Sequence, residues 1–91
     1  MAPEIENIDR IISELVKNKI IASCGHTEAN YDLTKQSIEW GIKSFTHLWN
    51  MSGFVQSRDP GVVGGAMSFD DCYIEIIADG FHVHPVNVKI R

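Results

Sequence analysis

A chain of 91 residues with a formal net charge of −4 forms one domain at most, and 44% apolar against 22% charged residues is an ordinary balance for a soluble fold. Its eight lysines and arginines are scattered rather than striped, which excludes a nucleic-acid partner but leaves room for a small phosphorylated ligand. No apolar run approaches the ~20 residues needed to cross a bilayer, and Met1-Ala2-Pro3-Glu4 lacks the basic and apolar regions of a secretory signal, so a cytoplasmic protein without a membrane partner is expected.

Ile5, Ile8, Ile11, Ile12, Leu15 and Val16 recur at helical spacing and predict an amphipathic helix from about residue 5 to 18. The apolar run Ile20 to Cys24 then reads as a strand covered on both faces, ending at Gly25-His26-Thr27. Asn30 suits the N-cap of a second helix running to Trp40, with Leu33, Ser37 and Ile38 inward and Gly41 as its stop. Ile42 to His47 is the second strand. A long glycine-bearing stretch follows, Leu48 to Asp71, in which Gly61 to Met67 is a candidate short helix. The third strand is expected over Cys72 to Ala78, and Pro85 begins a last helix that is cut off at Arg91. Cys24 and Cys72 read as small buried hydrophobes, too few for a disulfide scaffold.

Strands alternating with helices imply parallel pairing with right-handed crossovers. About three such strands would leave two open edges, so the chain is expected to be a single segment, residues 1 to 91, of a larger α/β domain.

Histidines mark the three strand ends: His26 after the first, His47 after the second, and His82 beyond an Asp79-Gly80 turn after the third. Ligands at the carboxyl ends of adjacent parallel strands converge on one point, and neutral imidazole is a common metal ligand. By position alone, His26 and His47 stand between metal ligation and an ordinary hydrogen-bonded loop role, and two histidines are fewer than the three protein ligands of a typical catalytic zinc. For the His82-Val83-His84 pair, the competing readings are ligand contact by His82 and a structural arrangement in which one ring packs and the other caps the following helix. Asp79 reads as a turn residue, Arg58 as a solvated charge able to hold a phosphate, and Trp49 and Phe54 as aromatics buried under the loop, with lining a sugar as the alternative.

Four ordered motifs, Gly25-His26-Thr27, Thr46-His47-Leu48-Trp49-Asn50, Arg58-Asp59-Pro60-Gly61-Val62-Val63-Gly64 and Ala78-Asp79-Gly80-Phe81-His82-Val83-His84-Pro85, together resemble the central part of the N-acetylglucosamine-6-phosphate deacetylases of the amidohydrolase superfamily. Ala2-Pro3-Glu4 is similar to the end of that family's preceding barrel strand. The resemblance implies a partial (β/α)8 TIM-barrel and a metal-dependent hydrolase that converts N-acetylglucosamine 6-phosphate to glucosamine 6-phosphate and acetate. It further implies that His26 and His47 ligate a divalent metal, zinc in the first instance with iron or another divalent ion as alternatives. Asn50, Met51, Arg58 and His82 would contact the amino sugar phosphate, Arg58 by way of a dimer interface.

In the implied mechanism the metal activates a water, an aspartate carries its proton to the leaving amine, and metal and histidine charge stabilise the oxyanion. The family's glutamate ligand lies upstream of these residues and its catalytic aspartate lies beyond Arg91, so no catalytic residue is assigned here and the isolated chain is expected to be inactive. A homo-oligomer formed through exposed strand edges is the expected assembly. The alternative is a non-catalytic α/β module that binds a sugar phosphate or a metal.

Overall fold

A computed structural model describes residues 1–90 as α1 (Ile8–Lys17), β1 (Ala22–Cys24), α2 (Tyr31–Trp40), β2 (Ile42–Phe45), α3 (Gly61–Ser68), β3 (Tyr73–Ile74) and α4 (Pro85–Ile90). The expected end of the last helix at Arg91 lies outside the described residues. The strands form one parallel sheet in the order β1-β2-β3. Sequential parallel order with helical crossovers is the pattern of a section of a (β/α)8 barrel.

Why α1 starts later than its apolar spacing predicts is visible in the preceding turn. Asn7 adopts a left-handed φ of 61°, and Ile5, 56% exposed, is outside the helix. Pro3 is buried and the Glu4 carboxylate is held across the chain by Thr27, so the segment cannot continue the helical path. The helix ends in a Schellman motif: Ile20 N donates to Leu15 O at 2.9 Å and Lys19 N to Val16 O at 3.0 Å, with Lys19 at φ 59° where glycine is usual. That turn carries Ile20 and Ile21 out to 53% and 68% exposure, so the first strand is three residues long, not five.

Asn30 caps α2 as expected, its Oδ1 accepting from Leu33 N at 2.8 Å, and Gly41 closes the helix at φ 130°. The buried polar side chains of α2 bond back to their own helix, Thr34 Oγ1 to Asn30 O at 2.8 Å and Ser37 Oγ to Thr34 O at 2.7 Å. A flat apolar-and-small surface results, and α3 lies against it through Gly65, whose missing side chain leaves room for Thr34. Asp59 joins the two helix starts: its Oδ1 accepts from Tyr31 N at 2.9 Å and from Gly61 N at 3.0 Å.

Ile8, Ile12, Ile42, Phe45, Leu48, Val62, Val63 and Ala66 form the core between sheet and helices. Cys24 is buried in it and Cys72 is half-buried at its margin. The third strand is shorter than the apolar run that encodes it. Glu75 still completes the ladder, donating to Phe45 O at 2.9 Å and accepting from Leu48 N at 2.8 Å. Past that point β2 has ended and the chain turns at His47 (φ 34°), so Ile76 to Ala78 have no strand to pair with among the described residues.

Residue 1 extends the sheet on its other side. Met1 N donates to Ser23 O at 2.7 Å and Met1 O accepts from Gly25 N at 3.0 Å, the two bonds of a parallel bridge opposite Cys24.

Candidate functional site

The loops after the strands hold a concentration of unusual backbone. His26 (φ 50°), His47 (φ 34°), Trp49 (φ 83°) and Met51 (φ 54°) all lie in the left-handed region, which costs non-glycine residues of order 1 kcal/mol or more each. Hydrogen bonds hold them there. Thr46 N donates to Cys24 O at 2.8 Å and Thr27 N to Met51 O at 2.9 Å, lacing the first loop to the second, and Asn50 N donates to His47 O at 3.0 Å to close a turn within the second.

This lacing brings the rings of His26 and His47 together, with centroids 4.8 Å apart and planes crossed at 71°. His47 Nδ1 lies 3.1 Å from the carbonyl oxygen of Asn50, so in the neutral ring Nδ1 carries the proton and Nε2 keeps a free lone pair. A backbone carbonyl on the non-ligating nitrogen is the usual way a metal-binding imidazole is oriented. The pair thus fits two places in a metal's coordination shell. Among the described residues no group of three or more histidine, cysteine, aspartate or glutamate side chains converges, so a metal held by this pair would need further ligands from outside these residues. His26 also lines an open cleft of about 530 Å³ with Met1, Ala2, Gly25 and Thr46.

Asn50 is a strut. Its Nδ2 donates to the carbonyl of His82 at 2.9 Å, tying the loop after β2 to the turn after β3, while its buried Oδ1 has no partner among the described residues. Ser52 Oγ donates to the Asn50 carbonyl at 3.1 Å and steadies the same corner. Met51 is 68% exposed, and its carbonyl is occupied by Thr27.

His82 sits in an Asx turn built by Asp79, whose Oδ1 accepts from Phe81 N at 2.8 Å and His82 N at 2.9 Å. Oδ2 of the same carboxylate pairs with His82 Nδ1 at 2.7 Å. The backbone N–H of His82 foremost, then that of Phe81 and the His82 ring, pull the Asp79 carboxyl down to about 2 from an ordinary 3.8. Asp79 is therefore a turn residue and an ionised partner of the histidine together. His84 caps the following helix, its Nδ1 accepting from Val86 N at 3.1 Å. Neither ring of the His-x-His pair packs into the interior; both are exposed.

Arg58 is also exposed, lining a hollow of about 190 Å³ with Asn30, Tyr31 and Asp32, and it forms no ion pair among the described residues. It lines neither the cleft at His26 nor the hollow at His82. Of the two loop aromatics, Trp49 packs against the core, its buried indole N–H without a partner among the described residues. Phe54, expected under the loop, is 87% exposed, because the loop is held through Asp59 and Gln56 backbone bonds rather than through its aromatic ring.

Sequence reasoning missed the clasp between Glu4 and Thr27. Thr27 Oγ1 donates to the Glu4 carboxylate at 2.9 Å from Oε1, and accepts from Ala29 N at 3.1 Å, while Glu28 N reaches Oε1 at 3.3 Å. These bonds fix the turn containing His26. Their partners are remote in sequence, and no local pattern announces them.

No protein-family model matches the chain. It is 39% identical over 90 residues to the N-acetylglucosamine-6-phosphate deacetylase of Bacillus subtilis, a match covering 99% of this chain and 23% of that protein. To the N-acetylgalactosamine-6-phosphate deacetylase of Shewanella sp. it is 40% identical over 87 residues, 96% of this chain and 22% of the relative. The crystal structure of N-acetyl-D-glucosamine-6-phosphate deacetylase from Mycobacterium smegmatis superposes with a TM-score of 0.96 at 34% identity, over 99% of this chain and 26% of that one. A mutant of that enzyme has been solved in complex with N-acetyl-D-glucosamine-6-phosphate. Across its whole length the chain is thus a relative of a segment of these deacetylases, and it spans about a quarter of their length.

Proposed function

We propose that this chain is a segment of a metal-dependent deacetylase acting on N-acetylglucosamine 6-phosphate, and that it contributes two metal ligands and part of the sugar-phosphate site. The observation carrying this reading is the His26–His47 pair at neighbouring strand ends, rings 4.8 Å apart, in a chain aligned throughout with such enzymes.

His26 and His47 would hold a divalent cation, zinc in the first instance, with further ligands from elsewhere in the protein. When bound, such an ion supplies an activated water near neutral pH for hydrolysis of the acetamide. The remaining duties fall to this chain's own groups. The Asn50 carbonyl keeps His47 in the tautomer that offers Nε2. With its carbonyl taken by Thr27, Met51 has its backbone N–H as the group for a phosphate oxygen, and Arg58 provides a charge for a phosphate held by the neighbouring copy, across the interface between them. His82, held by Asp79 and Asn50, meets the sugar. Pairing of open strand edges between copies and a cytoplasmic setting complete the proposal. No described helix is long and apolar enough to cross a membrane.

Zinc titration followed by histidine ring NMR tests it. His26 and His47 should shift together and saturate at one equivalent, with loss of the effect in His26→Ala. Independent, non-saturating responses of the two rings would defeat the reading.

A further inference from the structure

His82 and His84 line one hollow of about 290 Å³ together with Trp49, Phe54 and Asn87. Although two residues apart, their rings have opposite hydrogen-bond environments. At His82 the partner of Nδ1 is a carboxylate oxygen, which can only accept. At His84 the partner of Nδ1 is the backbone N–H of Val86, which can only donate.

We infer that Asp79 is a positioning residue that locks neutral His82 as the Nδ1–H tautomer while Val86 locks His84 as Nε2–H, so that of the two histidines lining one hollow, one carries an acceptor nitrogen and the other a donor nitrogen. His82 Nε2 then has a free lone pair and His84 Nε2 a proton to give. Such a pair is complementary to a group that both donates and accepts, and a polyhydroxylated ring supplies several. The ligand assignment rests on the sugar-phosphate reading above; the tautomers do not.

Three features of the Asp79 carboxylate make the lock firm. Its Oδ1 is pinned by two backbone N–H groups, at 2.8 and 2.9 Å, so the side chain cannot turn away without breaking the turn. Its second oxygen is left free to meet the imidazole at 2.7 Å. The same bonds hold it ionised across the range in which a histidine is neutral. On the other side, Asn50 Nδ2 anchors the His82 carbonyl and fixes the ring's origin.

Asp79→Asn is the discriminating variant. An asparagine keeps an oxygen for the Phe81 and His82 amides but turns an NH2 toward the imidazole, which must then accept at Nδ1 and protonate at Nε2. Long-range 1H–15N spectra of the purified protein at about pH 8.5, where an ordinary histidine is neutral, should show His82 as Nδ1–H and His84 as Nε2–H. In Asp79→Asn, His82 should invert and His84 stay unchanged, serving as the internal control for folding. If His82 is Nε2–H in the unsubstituted protein, or does not invert, the inference is wrong.

Titration with N-acetylglucosamine 6-phosphate separates the two levels. Loss of one hydrogen bond should weaken binding roughly ten-fold in Asp79→Asn. Correct tautomers with affinity unchanged in both Asp79→Asn and His82→Ala would reject the sugar-phosphate reading of the hollow and leave the tautomer lock standing.

Discussion

Asn50 reaches the carbonyl of His82 with its amide nitrogen at 2.9 Å, and its own carbonyl sits 3.1 Å from the ring of His47. One residue therefore connects the histidines at the ends of the second and third strands. Asn50→Ala should lower stability by about 1 kcal/mol, the usual net value of such a bond. Amide exchange should quicken at residues 80 to 84 but not at α2; protection left unchanged in that turn would show the strut to be incidental.

Lys19 occupies the left-handed position that closes α1, at φ 59°. Relief of that backbone conformation makes Lys19→Gly stabilising, by about 1 kcal/mol or several degrees in Tm. A lower Tm would mean that the lysine side chain contributes more than its backbone costs.

At Gly65 an added Cβ would lie 2.7 Å from Thr34 Cγ2 and 3.1 Å from Thr34 Cβ. Gly65→Ala should therefore cost about 1–3 kcal/mol by overpacking α2 against α3. Thr34→Ser removes the methyl group that is struck, so the double variant should recover part of the loss in denaturant titration. Simple additivity of the two changes would place the strain elsewhere.

Burial pushes the Cys24 thiol up to about 12, opposed by the charge of the Met1 amino group and reinforced by Glu4. Cys72 is raised in the same direction, chiefly by burial, and is less enclosed. Alkylation of the folded protein at about pH 8 should label Cys72 slowly and spare Cys24. The folded value of Cys24 lies above its unfolded 9.0, so its contribution to stability is complete below 9 and is lost as pH rises toward 12. Rapid modification of Cys24 in the native protein would contradict its placement in the core.

On the acid side the sign reverses. Asp79 is held at about 2 against 3.8, so its contribution is present above 3.8 and lost as pH falls through 2. Exchange of the Phe81 and His82 amides should accelerate over that interval; a flat profile would mean that the carboxylate does not hold the turn.

Much of this was readable in the chain. Asn30 and Gly41 announced both ends of α2, the small residues after Pro60 announced α3, and the alternation of apolar runs with helices announced parallel strands. What stayed hidden was non-local. Nothing near Ile20 and Ile21 tells that a Schellman turn at Lys19 will expose them, since the pattern of a buried strand and of an exposed lead-in are alike. The shortness of β3 depends on where its neighbour stops, and the Glu4–Thr27 clasp spans 23 residues. Phe54 misled because an aromatic in a loop is usually covered, whereas here backbone bonds do the holding.

Cys24 stands opposite Phe45 in the parallel register, and each strand's histidine follows two residues later. The strands thus act as a ruler. A single-residue insertion between Cys24 and His26, or between Phe45 and His47, would put the two rings out of step and turn one to the other face. Descendants of this chain can lengthen α2 or the stretch before α3 freely by comparison, but every change in spacing that survives should leave both of these short intervals intact.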